Sequence, residues 1–188
     1  MTNLTLKWLQ TNHACNEGIH WFTKQKAIKI PNVLQKLAKE GYWNWVYWLL
    51  CRVLTQINRA RFAVFAAKQV SNLYLFKYPN DQRVEEAIKA AENWIKNTTE
   101  ENRQKTCKAA AAAYAAGADA ATNAADAAYA AYAAADATAY AAYAVGAYAI
   151  NAIKAAVDAA YVAGADAACK KVQQYCLKFG LKLLKTNE

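Results

Sequence analysis

From Cys107 to Ala168 more than half of the residues are alanine, with tyrosine recurring among them. Alanine has the highest intrinsic helix propensity and offers little apolar area to bury. Such a segment is committed to helix, and its helices must approach one another closely to gain from packing. The pattern partly repeats every 11 residues. Tyr129, Tyr140 and Asn151 form one series; Tyr132, Tyr143 and Lys154 form a second. That period corresponds to about 3.67 residues per turn, a nearly straight helix. One continuous helix over this span would measure roughly 90 Å, too long to lie on the remainder of the chain. Breaks are therefore expected at Gly117, at Asp136–Thr138 and at Gly146, giving helices folded back on each other.

The larger apolar residues sit mostly before residue 100, and the whole chain has only two prolines and six glycines. Few turns are encoded, and the expected fold class is all-α: a compact multi-helix bundle with long Ala/Tyr-rich C-terminal helices packed back on it. Leu6 to Gln25 reads as a first helix. Pro31 and Gly41 bracket a second, as first-turn proline and C-terminal stop. Tyr42 to Leu54 is apolar on all sides, the pattern of a buried central helix. Asn58 to Tyr78 reads as one helix with a core stripe of Phe62, Phe65, Ala66, Val70, Leu73 and Phe76. Asn80 or Asp81 then caps a helix that buries Val84, Ile88, Ala91 and Ile95, and Thr98 or Thr99 caps the next. Lys170 to Lys185 forms a basic amphipathic last helix with Val172, Tyr175, Cys176, Phe179 and Leu183 inward. Residues 1–106 thus make a basic helical subdomain with a Trp-rich core. Residues 107–188 supply the Ala/Tyr-rich helices and the basic last helix, integrated with it as one domain.

The net charge is +9. Residues 1–106 carry 16 Lys+Arg against 8 Asp+Glu, residues 107–168 carry 2 against 5, and residues 169–188 carry 5 against 1. The surplus on the flanking regions favours an anionic partner. Five cysteines at wide spacing, with no secretory signal, read as reduced thiols of a cytoplasmic protein. The alanine tract is long enough to span a bilayer, but Asp119, Asp126, Asp136 and Asp158 interrupt it, so no membrane partner is expected.

Motifs for phosphate loops, nucleophile elbows, Cys-x-x-Cys sites or EF-hands are absent from the sequence. His13, Glu17 and His20 would share one face of the first helix, but no fourth ligand accompanies them, and they read as a solvated polar face. No metal, cofactor or catalytic residue is therefore assigned. Basic and aromatic residues make the binding candidates. Arg61 and Lys68 lie two turns apart, opposite the phenylalanine stripe. Arg52 and Arg59 sit near the preceding junction, and Asp81 and Arg83 open the next helix. With Trp45 and Trp48 they outline a basic, aromatic patch, since arginine's planar donors engage two oxygens of an anion. The competing reading is that these arginines hold helix ends. Tyr129, Tyr132, Tyr140 and Tyr143, projecting beside alanine, would line a cleft for a flat ring or fill gaps between helices.

Four segments, in order, carry a family resemblance: ACNEGIHWF (Ala14–Phe22), YWNWVYWLL (Tyr42–Leu50), the stretch from Arg61 to Ile95, and the Ala/Tyr-rich tail. Together they resemble the immunity proteins of bacterial polymorphic toxin systems, over roughly residues 10–170. The resemblance implies an all-helical fold and non-enzymatic neutralisation of a protein toxin or effector. Asn44 stands where an acidic residue is expected in the tryptophan block. The chain is also far more basic than an inhibitor of a basic nuclease should be, so its target should be anionic. Two alternatives follow from the charge: a viral anti-defence sponge that sequesters an anionic (cyclic) nucleotide, or a nucleic-acid-binding helical protein. Exposed alanine faces also admit a homo-oligomer.

Overall fold

Two short helices open the chain where the sequence suggests one. The computed structural model describes residues 3–26, 28–119, 129, 155, 158 and 167–186, and in it α1 spans Leu6–Thr11 and α2 spans Asn16–Thr23. Between them His13 takes a positive φ of 57°, a conformation that a side-chain-bearing residue adopts only locally. Asn12 Nδ2 donates to the Trp8 carbonyl at 2.9 Å, and the Cys15 thiol accepts from the Gly18 N–H at 3.4 Å. Polar side chains thus take over backbone partners on both sides of the break. The expected Leu6–Gln25 helix is corrected accordingly. The fold-back buries Leu9 and Phe22 together in the core.

The Leu4 N–H donates to the Ile28 carbonyl at 2.7 Å, and an isolated bridge joins Asn3 to Lys29. These contacts tie the N-terminal segment to the start of α3, Ile30–Lys39. Pro31 occupies its first turn. Gly41, at φ 84°, ends it, and the Tyr42 N–H returns to the Leu37 carbonyl at 2.9 Å. That closure is a Schellman motif, which glycine permits at no steric cost. The central helix α4, Trp43–Val53, buries Val46, Tyr47, Leu49, Leu50 and Cys51.

Thr55 caps α5, Gln56–Lys68, through the Asn58 N–H at 3.3 Å. The expected helix from Asn58 to Tyr78 is again two. Val70, at φ −128° and ψ −7°, leaves the helical region, and α6 restarts over Ser71–Lys77. The restart changes which face is inward. Tyr74 becomes fully buried, while Phe76, expected in the core stripe, is 93% exposed.

Helix α7, Arg83–Lys96, buries Val84, Ile88 and Ala91 as expected and adds Ala87 and Trp94, whereas Ile95, expected inward, is only half-buried. Thr99 accepts from the Asn102 N–H at 3.2 Å and opens α8, Glu100–Asp119. Helices α7 and α8 pack along each other. The buried Thr106 hydroxyl reaches the Ala90 carbonyl of α7 at 3.2 Å, and Ala110, Ala113 and Ala116 are fully buried. Alanine faces allow that approach.

Gly117 does not break α8, contrary to expectation. It lies inside the helix, and a Cβ there would come within 2.7 Å of the Tyr129 ring. Residues 12 apart on one straight helix would be roughly 18 Å apart along its axis; these two touch. The other expected breaks, at Asp136–Thr138 and Gly146, lie outside the described residues.

Residues 167–185 are helical and close the core. Val172, Cys176 and Leu183 point inward as expected, whereas Tyr175 is 40% exposed. Phe179 stacks on Phe65 with ring centroids 4.1 Å apart, and Gly180 lies directly on Leu50. Among the described residues no strand forms, and no helix is long and apolar enough to cross a membrane.

Candidate functional site

A cleft of about 390 Å³ opens where α1 and α2 face α3 and α4. Leu4, Leu9, Phe22, Val33, Leu37 and Leu49 form its apolar walls, and His13, Ala14, Cys15, Gly18 and Asn44 contribute to its lining. Three half-buried indoles, Trp21, Trp45 and Trp48, complete it. Among the described residues no Lys, Arg, Asp or Glu lines the interior.

The indoles are held by one another and by their neighbours. Trp8 meets Trp48 edge-on, with centroids 6.1 Å apart. Trp21 packs its plane steeply against both Tyr42 and Trp45, at 6.3 and 6.4 Å. Tyr42 and Trp45 stack at 4.5 Å. Each geometry suits the ring quadrupole, and such pairs add about 0.5–1.5 kcal/mol beyond burial. Trp21 Nε1 donates to Glu40 at 2.6 Å, fixing its ring. The Arg52 guanidinium lies 5.8 Å from the Trp48 ring centre, a cation held at the cleft's edge.

The residues singled out in the sequence fall into several places rather than one. Trp45 and Trp48 line the cleft, with Arg52 beside them. Arg59 donates Nε to the Leu54 carbonyl at 2.9 Å, and partial burial pulls its guanidinium below its ordinary value. Arg61 bonds Asn58 Oδ1 at 3.0 Å. Lys68 pairs with Glu92 at 2.5 Å. Arg61 and Lys68 line another groove, of about 290 Å³, together with Phe65 and Phe179.

Asp81 and Arg83 sit apart from both, at the α6–α7 turn. Asp81 accepts Arg83 Nη2 at 2.6 Å, Arg83 Nε at 3.0 Å, the Arg83 N–H at 3.1 Å and the Tyr74 hydroxyl at 2.6 Å. That carboxylate holds the turn together. Tyr129 packs on Tyr114 at 5.6 Å; Tyr132, Tyr140 and Tyr143 lie outside the described residues. His13 sits on the turn before α2 and so leaves the helix face it was expected to share with Glu17 and His20. Among the described residues no cluster of metal-ligating side chains forms.

Sequence reasoning missed Trp8, Trp21 and Tyr42 as members of the aromatic wall. Their signal was present, since Trp21 and Tyr42 stand in the two quoted tryptophan segments. A single straight first helix, however, would have carried Trp8 and Trp21 about 20 Å apart along its axis.

One protein-family model, described as "Imm-5 like putative immunity protein", matches residues 49–177. The chain belongs to this family. The match begins in the second half of α4, runs through α5–α8 and ends in the C-terminal helix. It takes in the Arg61–Ile95 segment and the alanine-rich tract on which the resemblance rested. The Ala14–Phe22 segment and nearly all of Tyr42–Leu50 precede it. The immunity-family match therefore covers α5–α8 and most of the C-terminal helix, and nearly all of the aromatic cleft is contributed by residues before it. Comparison with curated proteins and with solved structures finds no match.

Proposed function

We propose that this protein is a cytoplasmic, non-enzymatic immunity protein that neutralises a protein toxin by binding it. The observation that carries the reading is family membership across residues 49–177. The surface supports it. Tryptophan, tyrosine and arginine dominate the energetics of protein interfaces, the aromatics because they remove large areas from water with few rotors to freeze and arginine because its planar fork donates several hydrogen bonds at once. Here four tryptophans, a tyrosine and an arginine converge on one face. The net charge of +9 selects a partner whose contact surface is acidic.

The test has two steps. The tagged chain is purified from its native host, and each co-purifying polypeptide is expressed alone in a sensitive strain. A polypeptide that arrests growth alone, and no longer does so when this chain is co-expressed, establishes the function. If every co-purifying polypeptide is harmless, or if arrest persists with the chain present, the reading is wrong.

A further inference from the structure

The cleft is an apolar space built almost wholly from a segment that is strongly basic. From Asn3 to Val53 the chain carries seven Lys and Arg, all exposed, against two Glu. One of those two, Glu40, already accepts Trp21 Nε1 at 2.6 Å and lies 3.9 Å from Lys36. Arg52 stands over Trp48 at the edge. An apolar interior lined by indoles, with the Arg52 cation at its edge, has a definite complement: a bulky apolar side chain flanked by a carboxylate. The volume of about 390 Å³ sits near the lower end of the ~300–1,000 Å³ typical of ligand pockets, a size for an anchoring side chain. The walls are braced by ring–ring contacts, so seating an anchor costs little reorganisation. The cleft also lies almost wholly outside the family-matched residues 49–177. The shared scaffold does not account for it.

Resting on the toxin-neutralising reading above, we infer that this cleft is the recognition site for an acidic segment of the toxin. One large apolar side chain of that segment seats against Trp21, Trp45 and Trp48, and a neighbouring Asp or Glu meets Arg52. The apolar anchor supplies affinity, and Arg52 with the net positive charge of the Asn3–Val53 segment supplies selection and encounter rate.

Gly18 offers a direct way to test this. It lines the cleft, and a Cβ there would stand 4.0 Å from Trp45 and 3.3 Å from Cys15 Sγ, so Gly18→Leu fills the space from within. A random dodecapeptide library displayed on yeast is sorted against the full-length chain at low salt. The expected winners carry a Trp, Phe, Leu or Met flanked by Asp or Glu. Their affinity should fall about 30-fold or more in Gly18→Leu, and in Arg52→Glu, with melting temperatures of the variants near wild type. Should Gly18→Leu fail to fold, Ala14→Phe and Arg52→Glu decide.

No enrichment, winners without acidic flanks, or winners indifferent to the plug and to charge reversal overturn the proposal. So does a plug that abolishes binding of a single-stranded oligonucleotide while peptides are ignored, since the occupant would then be nucleic acid. The growth assay separates the two levels. If Gly18→Leu still relieves toxin arrest, the cleft assignment falls and the immunity reading stands. If the wild-type chain relieves none, the immunity reading falls, and the peptide result still reports what the cleft takes.

Discussion

Asp81 shows how one carboxylate can organise a turn. It accepts a two-pronged Arg83 side chain, the Arg83 N–H and the Tyr74 hydroxyl. The Arg83 donors, helped by Tyr74, hold its carboxyl well below the usual carboxylate range. Burial, with the Asp81 carboxylate beside it, pushes the Tyr74 hydroxyl up to about 12. Asp81→Asn should cost about 1–3 kcal/mol, the scale of charge-assisted hydrogen bonds. The pH dependence has a definite sign. An unfolded Asp titrates near ~3.9, and the folded one lower. The contribution is therefore complete above about pH 4 and is lost as pH falls toward the folded value. Urea unfolding at pH 7, 4 and 2.5 should show Asp81→Asn losing most at pH 7 and clearly less at pH 2.5; an equal loss at every pH would remove the charge from the account. The thiols offer a second prediction at this scale. Burial pushes Cys51 and Cys176 up to about 12, whereas Cys15 is exposed. Iodoacetamide at pH 8 should label Cys15 in the native protein and reach Cys51 and Cys176 only after unfolding, as read by peptide mass spectrometry.

Among the elements, those bounded by local chemistry were legible in the sequence and those bounded by tertiary demand were not. Pro31 and Gly41 delimit α3, and Thr99 opens α8, because each acts through its own backbone neighbourhood. The breaks at His13 and Val70 carry no proline or glycine. They arise because folding back buries Leu9 with Phe22, and Tyr74 against the α7 turn. Phe76 records the consequence of the second break. Exposed as it is, Phe76→Ser should change stability by less than about 0.5 kcal/mol, whereas a core phenylalanine such as Phe62 should cost about 3–5 kcal/mol on truncation to alanine. Thermal melts of both variants check the contrast. The seam between α4 and the C-terminal helix gives a sharper case. A Cβ on Gly180 would stand 2.8 Å from Leu50 Cδ1, and Leu50 is fully buried. Gly180→Ala should therefore destabilise by about 1–2 kcal/mol, overpacking outweighing the ~1 kcal/mol that alanine gains in a helix. Trimming the neighbour with Leu50→Val should recover part of the loss, and a double-mutant cycle measures that coupling.

At the scale of the molecule, the all-α class followed from alanine content and from the scarcity of turn residues. The candidate site followed only in part. Trp45 and Trp48 stand on the most apolar helix and were legible as a pair. Their partners came from α1 and α2, whose fold-back the residue pattern did not encode. The arginines read as one patch serve separate local duties, at Leu54, Asn58 and Asp81. Long-range closure has a further consequence. Asn58 Nδ2 reaches the Leu183 carbonyl, 125 residues later in the chain, beside the Phe65–Phe179 stack and the Gly180–Leu50 contact. A ribosome adding about 5–20 residues per second needs roughly 6–25 s to bridge that separation. During that interval α4 and α5 wait with an uncovered flank that only this later stretch of chain can cover. A chain cut short before that stretch would leave its core open along one whole strip.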